Sequence, residues 1–132
     1  TDTATAGNTN YGAGLALSHS SGISVGGFYG AEGGTQALST STDGSTWGME
    51  AGYTTTAMSN LGSTSFEINY SEHSEATVND FDADVLNFAV AQKMPAGVDV
   101  YLQYSVASFD DANAATDLED ITAFMMGTRL SF

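Results

Sequence analysis

The 132-residue chain contains no cysteine, one proline and only two basic side chains, Lys93 and Arg129. The lack of cysteine excludes a disulfide framework and a thiolate metal site. With 16 acidic residues and a formal net charge of −14, no basic patch is available to bind nucleic acid or an anionic membrane surface. No apolar run approaches the roughly 18 residues that a membrane-spanning helix requires. A helical membrane protein is therefore excluded.

The residues that are plentiful favour β-structure. The chain has 15 glycines and many serines and threonines, with few good helix formers in succession. This composition favours short strands joined by polar turns, so the sequence predicts an all-β protein of one domain. The opening TDTATAGNTN has neither the charged nor the apolar region of a signal peptide. We therefore expect either that a signal was removed or that the sequence is a piece of a longer chain.

Seven segments alternate between apolar and small or polar residues with a period of two, which is the side-chain period of a β-strand. A tilted strand needs roughly 9–11 residues to cross a bilayer, and the segments have about that length. The predicted strands are 11–19, 22–30, 45–54, 63–72, 85–94, 97–107 and 121–132.

Charge within these segments is concentrated on one parity. The apolar parity contains no acidic or basic residue before Glu72, the last residue of its segment, whereas Glu50, Glu67 and Asp99 all fall on the polar parity. We expect the other acids to lie in the N-terminal stretch or in long loops, and they are Asp2, Glu32, Asp43, Glu72, Glu75, Asp80, Asp82, Asp84, Asp110, Asp111, Asp117, Glu119 and Asp120.

Two architectures have strands of this kind. In a soluble sandwich the apolar faces meet in a core, whereas in a transmembrane barrel they face lipid and the polar faces line the lumen. Besides the sorting of charge, two features favour the barrel. The connections alternate between short and long, as in outer-membrane barrels. Aromatic residues of the apolar parity cluster at strand ends, as in interfacial girdles; the predicted girdle is Tyr11, Tyr29, Trp47, Tyr53, Tyr70, Tyr104, Phe124 and Phe132.

The last segment, ITAFMMGTRLSF, resembles the closing strand of Gram-negative outer-membrane porins, in which alternating hydrophobic residues lead to a terminal phenylalanine. The segment VLNFAVAQKMPAGVDVYLQYSVASFDD is similar to a porin hairpin with a tight periplasmic turn. Thr128 departs from the hydrophobic alternation. The resemblance implies that the barrel-assembly machinery reads a signal composed of Phe124, Met126, Gly127, Leu130 and Phe132.

The resemblance also implies a wider setting for the chain. A porin of this kind is a homotrimer of 16-stranded barrels in the bacterial outer membrane, in contact with lipid and lipopolysaccharide, and it conducts ions and small hydrophilic solutes by passive diffusion. Bacterial single-chain barrels have even strand numbers, so seven strands indicate the C-terminal portion of a larger barrel. We expect the N-terminal remainder of that barrel to pair with this chain, whether or not it is a separate polypeptide. We expect residues 1–10 to form an outer loop.

Two alternatives remain open at this point. An unrecognised strand within residues 1–10 or 31–44 would give an eight-stranded structural or adhesive barrel with acidic surface loops. The other alternative is a soluble secreted β-sandwich.

The polar parity supplies the candidate functional residues. In a porin these residues line the water-filled pore, and three acids against two bases bias it mildly towards cations, because rings of carboxylates favour them. The pore-lining candidates are Glu50, Glu67, Asn69, Asn87, Lys93, Asp99, Tyr101, Gln103 and Arg129. No nucleophile with its base, phosphate loop or carboxylate pair is recognisable, so we expect no enzyme. The stretch DFDAD lacks the glycine and the last ligand of a calcium loop, so no specific metal site is predicted, only weak Ca²⁺ or Mg²⁺ binding at acidic outer loops.

Overall fold

The strands that the alternation predicts are present and form one antiparallel sheet. The computed structural model describes residues 9–33, 44–58, 60–74, 81–95, 97–111 and 118–131. Within these ranges every regular element is a strand. The described residues contain no helix that is long and apolar enough to span a membrane. The strands are β1 (Thr9–Ser18), β2 (Ile23–Gly33), β3 (Ser45–Thr55), β4 (Ser63–Ser74), β5 (Phe81–Met94), β6 (Val98–Asp111) and β7 (Ile121–Leu130).

The strands follow one another in the sheet in the order of the sequence, β1 to β7, and each pairs with its chain neighbour. Among the described residues β1 and β7 make no contact, so the sheet is open. The short connections, β1 to β2, β3 to β4 and β5 to β6, lie at one end of the sheet, which we call the turn end. The longer connections lie at the opposite end, the loop end.

Each short connection closes on a glycine with positive φ: Gly22 (92°), Gly62 (121°) and Gly97 (76°). Only glycine adopts this backbone region at little cost. Each glycine also lies against a strand beyond its own hairpin. A Cβ added at Gly22 would overlap the Thr54 carbonyl oxygen, and Gly62 and Gly97 approach the backbone of Lys93 and Ser131 equally closely. The turn end therefore joins neighbouring hairpins as well as closing each one.

Several strands extend farther towards the loop end than the sequence predicted. Thr9 and Asn10, expected in an outer loop, are the first residues of β1, and β5 begins at Phe81 rather than at residue 85. Six acids that we expected in loops are strand residues instead: Glu32, Glu72, Asp82, Asp84, Asp110 and Asp111. For Asp82, Asp84 and Asp110 on β5 and β6 the prediction was wrong because the polarity of the two faces inverts there, which ends the alternation on which it rested.

The inversion is clearest on β5 and β6. Beyond the aromatic residues, the parity that is apolar elsewhere carries Asp82, Asp84 and Asp110. The opposite parity carries Phe81 and Phe109, whose rings stack with centroids 6.2 Å apart. The loop ends of these strands thus expose charge on the face that is apolar elsewhere in the sheet.

The sheet has the reverse of a soluble protein's burial pattern. Among the described residues no hydrophobic side chain is buried, and Leu102, Leu17 and Met126 on the apolar face are 43%, 59% and 73% exposed. On the polar face Asn69, Asn87 and Gln103 are half-buried. The register places the alternating sets of all seven strands on two opposite faces, as the period of two predicts. No second sheet covers the apolar face in the part of the chain that the structure describes.

Candidate functional surfaces of the sheet

A hydrogen-bonded chain of side chains crosses the centre of the polar face. Asn69 Nδ2 donates to Glu67 Oε1 (3.2 Å), and Asn87 Nδ2 donates to Asn69 Oδ1 (2.8 Å). Asn87 Oδ1 in turn accepts from Ser105 Oγ and from Gln103 Nε2. The register causes this convergence, because Asn69, Asn87 and Ser105 lie directly opposite one another on β4, β5 and β6. We call these five residues the amide ladder.

All the donors of the amide ladder point the same way, from β6 towards Glu67 on β4. An ionised carboxylate can only accept, so Asn69 must turn its amino group towards Glu67 and its carbonyl towards β5. Asn87 must then donate to Asn69, which leaves its carbonyl to accept from Ser105 and Gln103. The carboxylate of Glu67 thus sets the orientation of each amide in the ladder.

Glu50 lies beside the ladder, on β3 and directly opposite Asn69. Its side chain reaches across the neighbouring strand, since a Cβ added at Gly26 would lie 2.6 Å from Glu50 Oε1. Both Glu50 and Glu67 are exposed. Within the described residues, no cationic side chain lies within ion-pair distance of either carboxylate.

A different charge arrangement occupies the turn end of the polar face. Lys93, Asp99 and Arg129 lie side by side on β5, β6 and β7. Arg129 Nη2 lies 2.6 Å from Asp99 Oδ2, and the side chains are 69% and 17% exposed, respectively. Tyr101 lies over Gly127, where an added Cβ would overlap the phenol ring. These residues line part of a recess of about 340 Å³.

Every sequence-predicted pore-lining residue lies on this polar face, in two groups. The structure brings Glu67, Asn69, Asn87 and Gln103 together in the ladder, with Glu50 beside them, and it groups Lys93, Asp99, Tyr101 and Arg129 at the turn end.

Sequence reasoning missed two side chains of this face. Ser105 completes the ladder, and its position opposite Asn87 could have been found only with the register. Phe28 is a large aromatic residue on the polar parity, directly opposite Gly14 and Gly48, and its ring occupies the space above Gly48. The signal for Phe28 was a glycine at the facing position of both neighbouring strands.

Six of the eight predicted girdle residues lie on the apolar face along an oblique line. Tyr11 on β1 begins the line, and Tyr29 and Trp47 on β2 and β3 lie two residues farther towards the turn end. Tyr70 on β4 is directly opposite Met49, two residues farther again, and its ring is 5.4 Å from that of Trp47. We call this set, with Tyr104 and Phe124, the aromatic line.

The slope of the aromatic line follows from the register. Tyr104 and Phe124 share a row with Leu17, which is six residues from Tyr11 along β1. The line therefore advances about 20 Å along the strands while it crosses about 29 Å of sheet, at roughly 3.4 Å per residue and 4.8 Å per strand. Its inclination to the rows is about 35°, which is within the range of strand tilt in transmembrane barrels.

The direction of the slope agrees with the twist of β-sheets. His19 N–H donates to the Ile23 carbonyl, so residues of the apolar parity form the hydrogen-bonded pairs between β1 and β2. With the apolar face towards the viewer and β1 running down, L chirality then places β2 on the left. When the aromatic line is set horizontal, the strands lean to the right. This is the direction expected from the right-handed twist of β-strands, which rotates each strand by a negative angle relative to its neighbour.

Several predicted residues cannot be placed. Phe132, predicted to belong to the girdle and to the assembly signal, lies outside the described residues, and Tyr53 alone remains of the girdle at the turn end. The possible extra strand within residues 1–10 or 31–44 falls largely outside them too. No group of three or more potential metal ligands converges among the residues that are described.

Comparison with known protein families, characterised proteins and solved structures finds no match to this chain.

Proposed function

We propose that this chain forms part of the wall of an outer-membrane porin, a water-filled channel for ions and small hydrophilic solutes, with no catalytic role. The observation that carries the proposal is the reversed polarity of the sheet, whose apolar face is more exposed than its polar face. Lipid is the occupant that suits this face, because the aromatic line crosses it at the inclination that level interfacial rings on tilted strands require.

The acidic ends of β4 to β6 support the same orientation. Glu72, Asp84, Asp82 and Asp110 lie beyond the aromatic line on the outward parity, where an aqueous layer would solvate them. A charge within the hydrocarbon costs a few kcal/mol near mid-bilayer and much less at the interface. The loop end then faces the outside of the cell and the turn end faces the periplasm. Weak Ca²⁺ or Mg²⁺ binding, and contact with lipopolysaccharide, belong to this outer rim.

The open edges of the sheet specify the kind of partner that completes the barrel. Unpaired backbone groups in hydrocarbon cost several kcal/mol each, so β1 and β7 need neighbours in a membrane. These two strands run in the same direction, so their direct pairing would be parallel. A junction between two copies in one orientation would be parallel for the same reason. An antiparallel barrel therefore requires a partner segment with an odd number of strands, and the porin resemblance implies roughly nine.

The proposal is tested by reconstituting the protein, as purified from membranes, into planar lipid bilayers. We expect stepwise increases in conductance, which the same sample after heat unfolding does not produce. Silence from correctly folded protein would contradict the pore and favour the structural or adhesive barrel. Folding without detergent and partitioning into the aqueous phase would favour the β-sandwich.

The intact mass of the purified complex tests the partner, because a second polypeptide is expected. Trimerisation and recognition by the barrel-assembly machinery rest on the resemblance and form part of the proposal.

A further inference from the structure

The three acids of the polar face differ in how their charge is balanced. Asp99 forms an ion pair with Arg129 and is largely shielded from solvent. Glu50 and Glu67 are exposed, and no cation lies in either of their rows of the sheet. The row of Glu50 contains Ala16, Gly26, Asn69, Asn87, Ser105 and Ala123, and the row of Glu67 contains Ser18, Ser24, Gly52, Ala89, Gln103 and Met125.

The two carboxylates also lie at nearly the same height in a barrel. Successive rows on one face of the sheet are two residue positions apart. Glu67 is one such row closer to the turn end than Glu50 and one strand farther along the sheet. The aromatic line descends by about half a row per strand in the same direction. Measured from this line, the heights of Glu50 and Glu67 differ by about one residue position, or roughly 3 Å along a strand. They therefore lie beside each other on one level of the wall.

The amide ladder gives Glu67 a fixed position on this level. Asn69 donates to Oε1, and Asn87, Ser105 and Gln103 hold Asn69 in the orientation that donation requires. The donors are neutral, so they position the carboxylate without cancelling its charge. Asp99, by contrast, accepts two hydrogen bonds from the guanidinium of Arg129.

We infer that Glu50 and Glu67 together set a cation preference for permeating ions in this wall, with the amide ladder as the positioning element, and that Asp99 contributes none. The inference rests on the proposed pore function and identifies which of the polar-face acids act in it. Carboxylates that line a pore favour cations. In water, a unit charge about 7 Å away raises the local concentration of a monovalent cation by about threefold.

The test is the zero-current potential across bilayers that contain the channel and separate unequal KCl concentrations. We expect wild-type channels to prefer K⁺, and Glu50→Gln and Glu67→Gln each to lower the ratio of K⁺ to Cl⁻ permeability by up to about sevenfold, because each carboxylate enriches K⁺ about threefold and depletes Cl⁻ about threefold. The double variant should lose the preference. Because the Debye length falls from about 10 Å at 0.1 M salt to about 3 Å at 1 M, the differences should shrink at high salt.

Two controls isolate the position of the charge. Glu72→Gln makes the same charge change on the opposite face, and the pair Asp99→Asn with Arg129→Gln removes two charges that cancel each other. Both are expected to leave the permeability ratio unchanged. Circular dichroism and the fluorescence of Trp47, the single tryptophan, verify folding of every variant.

The outcomes separate the inference from the proposed function. Channels that open normally but keep an unchanged ratio in the Glu50 and Glu67 double variant would overturn the inference while the pore stands. Wild-type channels that prefer Cl⁻ would overturn it as well. A complete absence of conductance from folded wild-type protein would instead refute the pore itself.

Discussion

A single arginine placed on either face of β5 should distinguish the lipid-facing side of the sheet from the lumenal side. Val90 lies on the apolar face between Phe66 and Leu102, on the turn-end side of the aromatic line. Its chain neighbour Ala89 lies on the polar face between Glu67 and Gln103. The substitutions Val90→Arg and Ala89→Arg thus introduce the same charge one residue apart.

The expected magnitudes differ because the surroundings differ. Arginine near mid-bilayer costs about 2–4 kcal/mol, and one at the interface costs about 0–1 kcal/mol. Val90→Arg should therefore change the folding equilibrium about 30- to 700-fold, since 1.4 kcal/mol corresponds to tenfold. Ala89→Arg faces the Glu67 carboxylate across the strand pair, where opposite charges are stabilising by up to about 1 kcal/mol. Tyr104→Arg, on the aromatic line, should cost about 1 kcal/mol or less.

The measurement is guanidinium-induced unfolding in phospholipid vesicles, followed by the fluorescence of Trp47. Equal stability of the Val90 and Ala89 variants would refute the assignment of the faces. A large loss from Tyr104→Arg equal to that from Val90→Arg would indicate that protein, rather than a bilayer with a graded interface, covers the apolar face.

Three further predictions concern stability and use the same unfolding assay. Gly127→Ala should cost about 1 kcal/mol or less, because the added Cβ would meet only the far end of the Tyr101 ring, which is exposed and can turn aside; a loss of several kcal/mol would show that the ring is held in place. Gly22→Ala should cost about 1–2 kcal/mol from its positive φ alone, and a neutral result would contradict the turn geometry. Asp99→Asn should cost about 1 kcal/mol or less, since Arg129 is 69% exposed and exposed ion pairs contribute little; a much larger loss would show that this pair is structurally essential.

The period of two was sufficient to predict the strands and their two faces. In strands such as β3 and β4, apolar and polar residues alternate through Met49, Ala51 and Ile68 without interruption, so the sequence alone assigns them to a half-exposed sheet. The rule failed at the loop ends, where Asp82 and Asp84 lie on the parity that is apolar elsewhere. Alternation identifies a strand only while its surroundings stay the same, and here the polarity of each face changes along the strand.

The candidate site was predictable as a set of residues but not as an arrangement. Parity alone placed Glu67, Asn69 and Asn87 on one face. It could not show that Asn69 and Asn87 are directly opposite each other, because that depends on the register across the long connection between β4 and β5. It also could not show that Asp99 is paired with Arg129, which required the register between β6 and β7.

The three positive-φ glycines have a consequence for how the loop end can change. Gly22 and Gly97 accept hydrogen bonds from the backbone N–H groups of Thr54 and Ser131, and Gly62 lies against the backbone of Lys93. The alignment between successive hairpins is thus fixed at the turn end, far from the long connections that join them. A one-residue slip would exchange the two faces of a strand. Because these contacts resist such a slip, the long connections can gain or lose residues, or carry an inserted peptide epitope, without turning a lumenal side chain towards lipid.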